Sequence, residues 1–236
     1  MWELYGKIQS GIDQTLATTI AVSGVTTGIS GNNLFVRLPF AGQGPDEAAR
    51  RALGEAQLVI AVVGFDQNRP LMFRPTSFQL VPLNGTPQDQ SEVVSRALNP
   101  SYVDLATDKG RTLEKVEGGP FPSRPIFELA VKNRQLGFAV AYYQNAIAEK
   151  DGGKALAYLA QALEAIEKHA PGMRGRLAFA KSTWDGVSRI AQPFRHAPDR
   201  GAAVLPMPNS QEVTRATDFV RGAIEAFSRY LSIQKD

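Results

Sequence analysis

The sequence predicts an α+β fold, in which a β-rich N-terminal domain is followed by a four-helix antiparallel bundle. Apolar residues of the first half form short β-branched runs between glycines, whereas after residue 125 they recur at three- and four-residue spacings. Between the halves, proline and glycine interrupt regular structure. The 236 residues therefore divide into a β-rich domain (1–85), an irregular connection (86–124) and a helical bundle (125–236).

Two strands are expected near the N-terminus, over residues 16–22 and 34–40. Both contain β-branched or aromatic residues, and the segment between them is rich in glycine and asparagine, which favour turns. A third, weakly alternating segment spans residues 77–83. Its Pro82 cannot donate a ladder hydrogen bond, so this strand is expected at a sheet edge or to end there.

The most apolar run of the first half, residues 56–65, predicts a strand buried on both faces. It is short, rich in valine and isoleucine, and bounded by glycine. The alanine-rich, charged segment before it, residues 46–53, predicts a short helix that ends near Gly54. Within the connection, a further short helix is expected over residues 91–98.

Four amphipathic helices follow, and breaks rich in glycine or proline separate them. Helices of this size form an antiparallel bundle. Their apolar faces exceed what one small bundle buries, which predicts self-association. The expected helices span residues 126–150, 154–169 and 174–195, and the fourth begins near residue 210.

Composition excludes several kinds of site. There is no cysteine, so disulfides, thiolate metal sites and a cysteine nucleophile are excluded. The two histidines and the scattered carboxylates show no metal-ligand spacing, and we expect neither a metal nor another cofactor. Every apolar run is shorter than the roughly 20 residues that span a bilayer, and the N-terminus lacks a secretory signal pattern. We therefore expect a cytoplasmic protein without membrane contact.

The net charge of +3 is unevenly distributed along the chain. Residues 1–120 carry 10 basic and 12 acidic side chains, whereas residues 121–236 carry 16 and 11. The basic excess therefore lies with the helices. It is mild, and a solvated surface explains it as well as a nucleic-acid partner does.

The end of the third helix, residues 188–198, holds one of the two histidines together with two arginines. Seven residues make nearly two helical turns, so Arg189 and His196 project from one face if the helix continues through Pro193. A guanidinium beside an imidazole suits phosphodiester chemistry, because one neutralises phosphate and the other moves protons near neutral pH. The alternative is a solvated last turn that complements the helix dipole, which is also our interpretation of His169.

A helical bundle with Arg189-x6-His196 at the end of its third long helix, followed by a loop and a final amphipathic helix, resembles the HEPN superfamily of prokaryotic nucleotide- and RNA-acting domains. The resemblance covers about residues 125–233. Many members are metal-independent endoribonucleases, often dimeric, of toxin–antitoxin and antiphage systems, and others are non-catalytic binding or assembly modules. The resemblance implies that Arg189 and His196 are the catalytic pair.

Two hypotheses of function follow. In the first, a homodimer cleaves RNA: His196 acts on the ribose 2′-hydroxyl or the leaving oxygen, while Arg189 and Arg195 stabilise charge on the phosphate. The resemblance implies an antitoxin or regulatory protein as a further partner. In the second, the bundle dimerises or docks a partner without catalysis, Arg189 makes a structural bond, and the β-rich domain recognises a ligand.

Overall fold

The computed structural model describes residues 1–9, 17–82, 84–97, 111–119, 121, 123–195 and 208–234. The predicted α+β class is confirmed. Among the described residues, no helix is both long and apolar enough to cross a bilayer. The elements of this part of the chain are β1 (Trp2–Gln9), β2 (Ala17–Val22), β3 (Val25–Ser30), β4 (Asn33–Leu38), α1 (Pro45–Gln67), β5 (Met72–Leu80), β6 (Gln88–Asp89), α2 (Ser91–Ala97), β7 (Leu113–Gly118), α3 (Arg124–Lys132), α4 (Arg134–Ala148), α5 (Gly152–Glu167), α6 (Met173–Arg176), α7 (Lys181–Arg195) and α8 (Ser210–Ile233).

The chain forms two compact units, Met1–Arg134 and Gln135–Asp236. The seven strands and helices α1 to α3 belong to the first unit. Helices α5 to α8 and nearly all of α4 belong to the second. Separate folding of the domains predicted from the sequence, residues 1–85 and 125–236, stays a prediction.

The strands of the first unit form one antiparallel sheet in the order β6-β5-β1-β4-β3-β2-β7. The strands expected at residues 16–22 and 34–40 are present as β2 and β4, and most of the third is the end of β5. β3 occupies the segment predicted as a loop. A two-residue turn at Ser23 and Gly24, with φ of 49° and 77°, reverses the chain into it, and this left-handed geometry suits the twist of a hairpin.

The connection contains an element that its sequence does not predict. Its short helix is confirmed as α2, but residues 113–118, expected to be irregular, form the edge strand β7, which pairs with β2. β7 is mostly exposed and charged, so its own side chains give little strand signal. Its conformation comes from ladder hydrogen bonds to a strand about 95 residues earlier in the chain, a contact that local patterns do not report.

The strand predicted over residues 56–65 is wrong, because these residues are the second half of helix α1. The helix does not end near Gly54 but runs on to Gln67, where Asn68 adopts a left-handed conformation and its N–H bonds to the carbonyls of Gly64 and Phe65. Residues 52–56 and 58–65 of α1 are all buried. A helix that is buried on every side has no polar stripe, so its sequence has the apolar character of a buried strand.

Helix α1 packs against the central strands β1, β4 and β5 on one side and contacts α2 and α3 elsewhere. Buried apolar side chains alternate with more exposed residues along β1 and β4, as expected for a sheet with one face on the core. This apolar face forms the core of the first unit with α1. The fully buried side chains of its strands include Leu4, Val36, Leu38 and Phe78.

The helical unit keeps two of the predicted helices and divides the others. The helix expected over residues 126–150 is two helices, because Asn133 is extended (φ −122°, ψ 101°) between α3 and α4. The third begins at Lys181 rather than near residue 174, since Ala178 has a positive φ of 59° and separates the short α6 from α7. The other two are confirmed as α5 and α8, and α8 begins with a capping box between Asn209 and Glu212.

Helix α5 is the centre of the helical unit, packing against both α7 and α8. Leu156, Leu159 and Leu163 of α5 are fully buried. Gly153, in its first turn, lies against the ring of Phe194, which a Cβ would overlap. The absence of a side chain therefore lets α5 and α7 approach closely at this end.

Candidate functional site

Arg189 lies on the outer side of helix α7. The buried residues of this helix, Trp184, Val187 and Ala191, form one stripe at three- and four-residue spacings. Arg189 is two residues from both Val187 and Ala191, about 200° around the helix, and its side chain is exposed. Its guanidinium is therefore accessible to a ligand rather than buried in the bundle.

Helix α7 continues through Pro193 and ends at Arg195. Because proline has no N–H, the carbonyl oxygen of Arg189, four residues earlier, loses its usual helical donor. Arg189 and the last turn of α7 therefore belong to one continuous helix, as the predicted site requires. The side chain of Arg195 and the whole of His196 lie outside the described residues, so the pairing of Arg189 with His196 stays a prediction.

His169, just beyond the end of α5, is half-buried against aromatic rings of α8. Its ring lies edge-on to Phe227, with centroids 5.1 Å apart, and 6.4 Å from Tyr230. Arg176 donates a hydrogen bond to the hydroxyl of Tyr230 at 3.2 Å. Burial lowers the pKa of His169, and the positive charge of Arg176 lowers it further. His169 therefore packs against α8, and its surroundings favour the neutral imidazole. This differs from the predicted solvated histidine that complements the helix dipole.

The lowered pKa of His169 predicts a pH dependence of stability. Below the ordinary histidine pKa of 6.5, the unfolded chain binds a proton that the folded chain does not yet bind. The free energy of unfolding should therefore fall as the pH drops from 6.5 to the folded-state pKa, and should show no further contribution from His169 below it. Urea denaturation of the parent protein and of His169→Gln over this range measures the effect, which the variant should lack. An NMR titration that places His169 at or above 6.5 would contradict the prediction.

A polar network lies on the side of the sheet opposite to α1, which we call the open face. Its centre is Glu3 of β1, which is only 7% exposed. Its carboxylate accepts hydrogen bonds from Tyr5 (2.9 Å), Arg37 (2.9 Å) and Gln79 (3.1 Å). Burial raises the pKa of the Glu3 carboxyl, but these hydrogen bonds and the adjacent guanidinium outweigh it, so the pKa lies below its usual value.

This network fixes the guanidinium of Arg37 over the ring of Phe35, with Cζ 4.7 Å from the ring centroid. The Phe35 ring in turn lies on Gly28 of the next strand, where any Cβ would overlap it. Arg37 remains 45% exposed, so its outer side is open to solvent. Sequence patterns do not predict this arrangement, because its members come from four strands and their contacts depend on the register.

A second ion pair, between Glu55 of α1 and Arg111, is buried in the first unit. The two side chains are 3% and 7% exposed. Nη1 of Arg111 is buried without a hydrogen-bond partner. The local sequence indicates this ion pair only through Glu55, a charged residue within a mostly apolar helix segment. A buried carboxylate requires a compensating partner elsewhere in the fold.

Among the described residues, no group of three or more histidine and carboxylate side chains is placed to hold a metal ion. No family model, curated protein or solved structure matches this chain.

Proposed function

We propose that this protein acts on RNA through a HEPN-like helical unit, as a metal-independent endoribonuclease of a prokaryotic toxin or antiphage system. One observation favours this over a structural role for Arg189: its side chain is exposed on the side of α7 that faces away from the buried stripe. An exposed guanidinium on the surface of a helix can reach a phosphate, whereas a buried one would serve packing. The cytoplasm is the compartment in which such an activity meets its substrate.

The proposed reaction is an internal transesterification of the RNA backbone. His196 removes the proton of a ribose 2′-hydroxyl, and the 2′-oxygen forms a bond to the adjacent phosphorus. The bond from phosphorus to the 5′-oxygen breaks, and this oxygen takes a proton from water or from the second imidazole of a homodimer. Arg189 and Arg195 stabilise the charge that develops on the phosphate. The products are a 2′,3′-cyclic phosphate and a 5′-hydroxyl end.

The test is incubation of the full-length protein with mixed RNA in the presence of a chelator. We expect cleavage that leaves cyclic phosphate ends, and none at a site that carries a 2′-deoxyribose. His196→Ala should abolish it, and Arg189→Ala should lower kcat/KM by about 10²- to 10³-fold, as for removal of other preorganised charge donors. The proposal also requires a homodimer, so light scattering should give twice the chain mass of 25.6 kDa.

The matched control is Arg215→Ala, which removes another exposed arginine, on α8. It should leave cleavage unchanged, and the unfolding free energies of the arginine variants should stay within about 0.5 kcal/mol of the parent. A parent protein that leaves RNA intact, or an Arg189→Ala variant that unfolds at lower temperature while Arg215→Ala does not, would refute the nuclease.

The second candidate is a non-catalytic binding protein whose first unit recognises a ligand. The observation that favours it is the open face of the sheet, where Glu3 holds the guanidinium of Arg37 in a fixed, accessible position. A preorganised polar group on a rigid sheet is suited to recognition, because little side-chain entropy is lost on binding. In this proposal the helical unit dimerises or docks a regulatory protein.

A further inference from the structure

The open face carries its side chains in rows that the strand register defines. Residues directly opposite each other in antiparallel strands share a face, so the pairings of β5, β1, β4 and β3 identify neighbours across the sheet. We call the first row the basic row and the second the aromatic row. The basic row is Arg74, Lys7, Asn33 and Ser30, and the aromatic row is Ser77, Tyr5, Phe35 and Gly28.

The basic row has a net positive charge. Lys7 and Arg74 are exposed, and Lys7 donates a hydrogen bond to Asn33 Oδ1 at 2.6 Å. No acidic side chain stands in this row of the described strands. Acidic residues of the open face lie outside this row: Glu3 pairs with Arg37, and Glu117 with Lys115. Asp89 of β6 lies opposite Gln79, in the row of Glu3, and its carboxylate accepts hydrogen bonds from Ser91. The two charges of the basic row are therefore available to an anionic partner.

The aromatic row lies next to the basic row, about 7 Å away. The two rows are two residues apart on β1, β3 and β4, and three residues apart on β5, where the register shifts. Tyr5 and Phe35 are half-buried, with ring centroids 6.3 Å apart. One side of the Phe35 ring faces Arg37 and the other lies on Gly28. The surfaces left for a planar ligand are the ring of Tyr5 and the outer side of the Arg37 guanidinium.

From these rows we infer that the open face binds single-stranded RNA, with phosphates at Lys7 and Arg74 and bases stacked on Tyr5 and Arg37. The inference rests on the proposed action on RNA but concerns a different surface from Arg189. A single strand exposes the flat faces of its bases, which stack on aromatic rings and guanidinium planes, while its backbone follows basic side chains. In the three rows that contain Glu3, Tyr5 and Lys7, every described residue except Glu3 and Gly28 is at least partly exposed. The surface is thus open enough for an extended strand.

Fluorescence anisotropy with a labelled 12-nucleotide uridine oligomer, 2′-O-methylated so that it resists cleavage, tests the inference on the full-length protein. Lys7→Ala/Arg74→Ala should weaken binding and reduce the slope of log K against log salt by about 1.4, the value for two phosphate contacts on a single strand. Tyr5→Leu should weaken binding about 5- to 100-fold, the effect of losing one stacked base, whereas Tyr5→Phe keeps the ring and should restore it.

The matched control is Arg50→Ala/Arg51→Ala, which removes two exposed charges from α1 of the same unit. It should leave the affinity and the salt slope near those of the parent. A parent protein that does not bind the oligomer, or binding that all open-face variants retain, would overturn the inference. Cleavage is measured separately with Arg189→Ala, so the two proposals can fail independently. If the open face binds the oligomer but the protein does not cleave RNA, only the nuclease proposal is refuted. If the protein cleaves RNA but the open-face variants bind the oligomer like the parent, only the proposed RNA binding by the open face is refuted.

Discussion

Replacing Arg111 with methionine should lower the free energy of unfolding by about 3–5 kcal/mol, because it breaks the buried ion pair between Arg111 and the carboxylate of Glu55. Glu55 lies within the buried part of α1, and its side chain is 3% exposed. Water cannot replace the lost guanidinium there, so the cost is that of a buried carboxylate that loses its ion pair with Arg111. Urea denaturation followed by circular dichroism measures the change.

Two further variants separate this effect from lost packing. Glu55→Met/Arg111→Met removes both charges and should recover most or all of the stability, since Nη1 of Arg111 has no hydrogen-bond partner and its desolvation is not offset. The exposed pair of Arg124 and Glu128, joined at 2.8 Å, is the control, and Arg124→Met should cost less than about 1 kcal/mol. Equal losses for the buried and the exposed pair would contradict the interpretation.

Truncating Phe227 to alanine should cost about 3–5 kcal/mol, because it opens a cavity in the centre of the helical unit. Its side chain is fully buried on α8 and packs against His169. Loss of the ring should also expose His169, whose lowered pKa should then rise towards 6.5. Denaturation and an NMR titration of the histidine give two independent measurements of one contact.

The control for this prediction lies on the same helix. Ile233 of α8 is 76% exposed, so Ile233→Ala should change the unfolding free energy by no more than about 0.5 kcal/mol and leave the His169 titration unaltered. Phe227→Leu, which keeps most of the apolar volume, should fall between the two. A stability loss in Phe227→Ala without any change at His169 would show that the ring contact does not set the histidine pKa.

For the candidate site on α7, the exposure of Arg189 follows from the residues alone. The exposure of Arg189 agrees with the helical period, because the apolar residues of α7 assign it to the outer side. The network of Glu3, Arg37 and Phe35 could not be found in this way. Glu3 lies more than 30 residues before Phe35 and Arg37, and only the register of β1 against β4 brings it to them.

The sequence by itself determined the elements that local chemistry specifies. Helices α5 and α8 lie where their apolar spacing predicts, and each begins at a residue that caps the first backbone N–H groups, Asp151 and Asn209. Strands β2 and β4 likewise follow β-branched and aromatic residues between turn formers. In these elements the preference of each segment agrees with its place in the fold.

Only the tertiary structure decided the conformation of residues 56–65 and of β7. The apolar run of residues 56–65 lacks a period that separates a strand from a helix buried on all sides, and burial between the sheet and other elements stabilises the helix despite its β-branched residues. Glu55, inside the same helix, requires a partner that the chain supplies 56 residues later at Arg111. Such long-range contacts outweigh local preference because burial of a whole helix and pairing of a buried charge each involve more free energy than the propensity of a single residue.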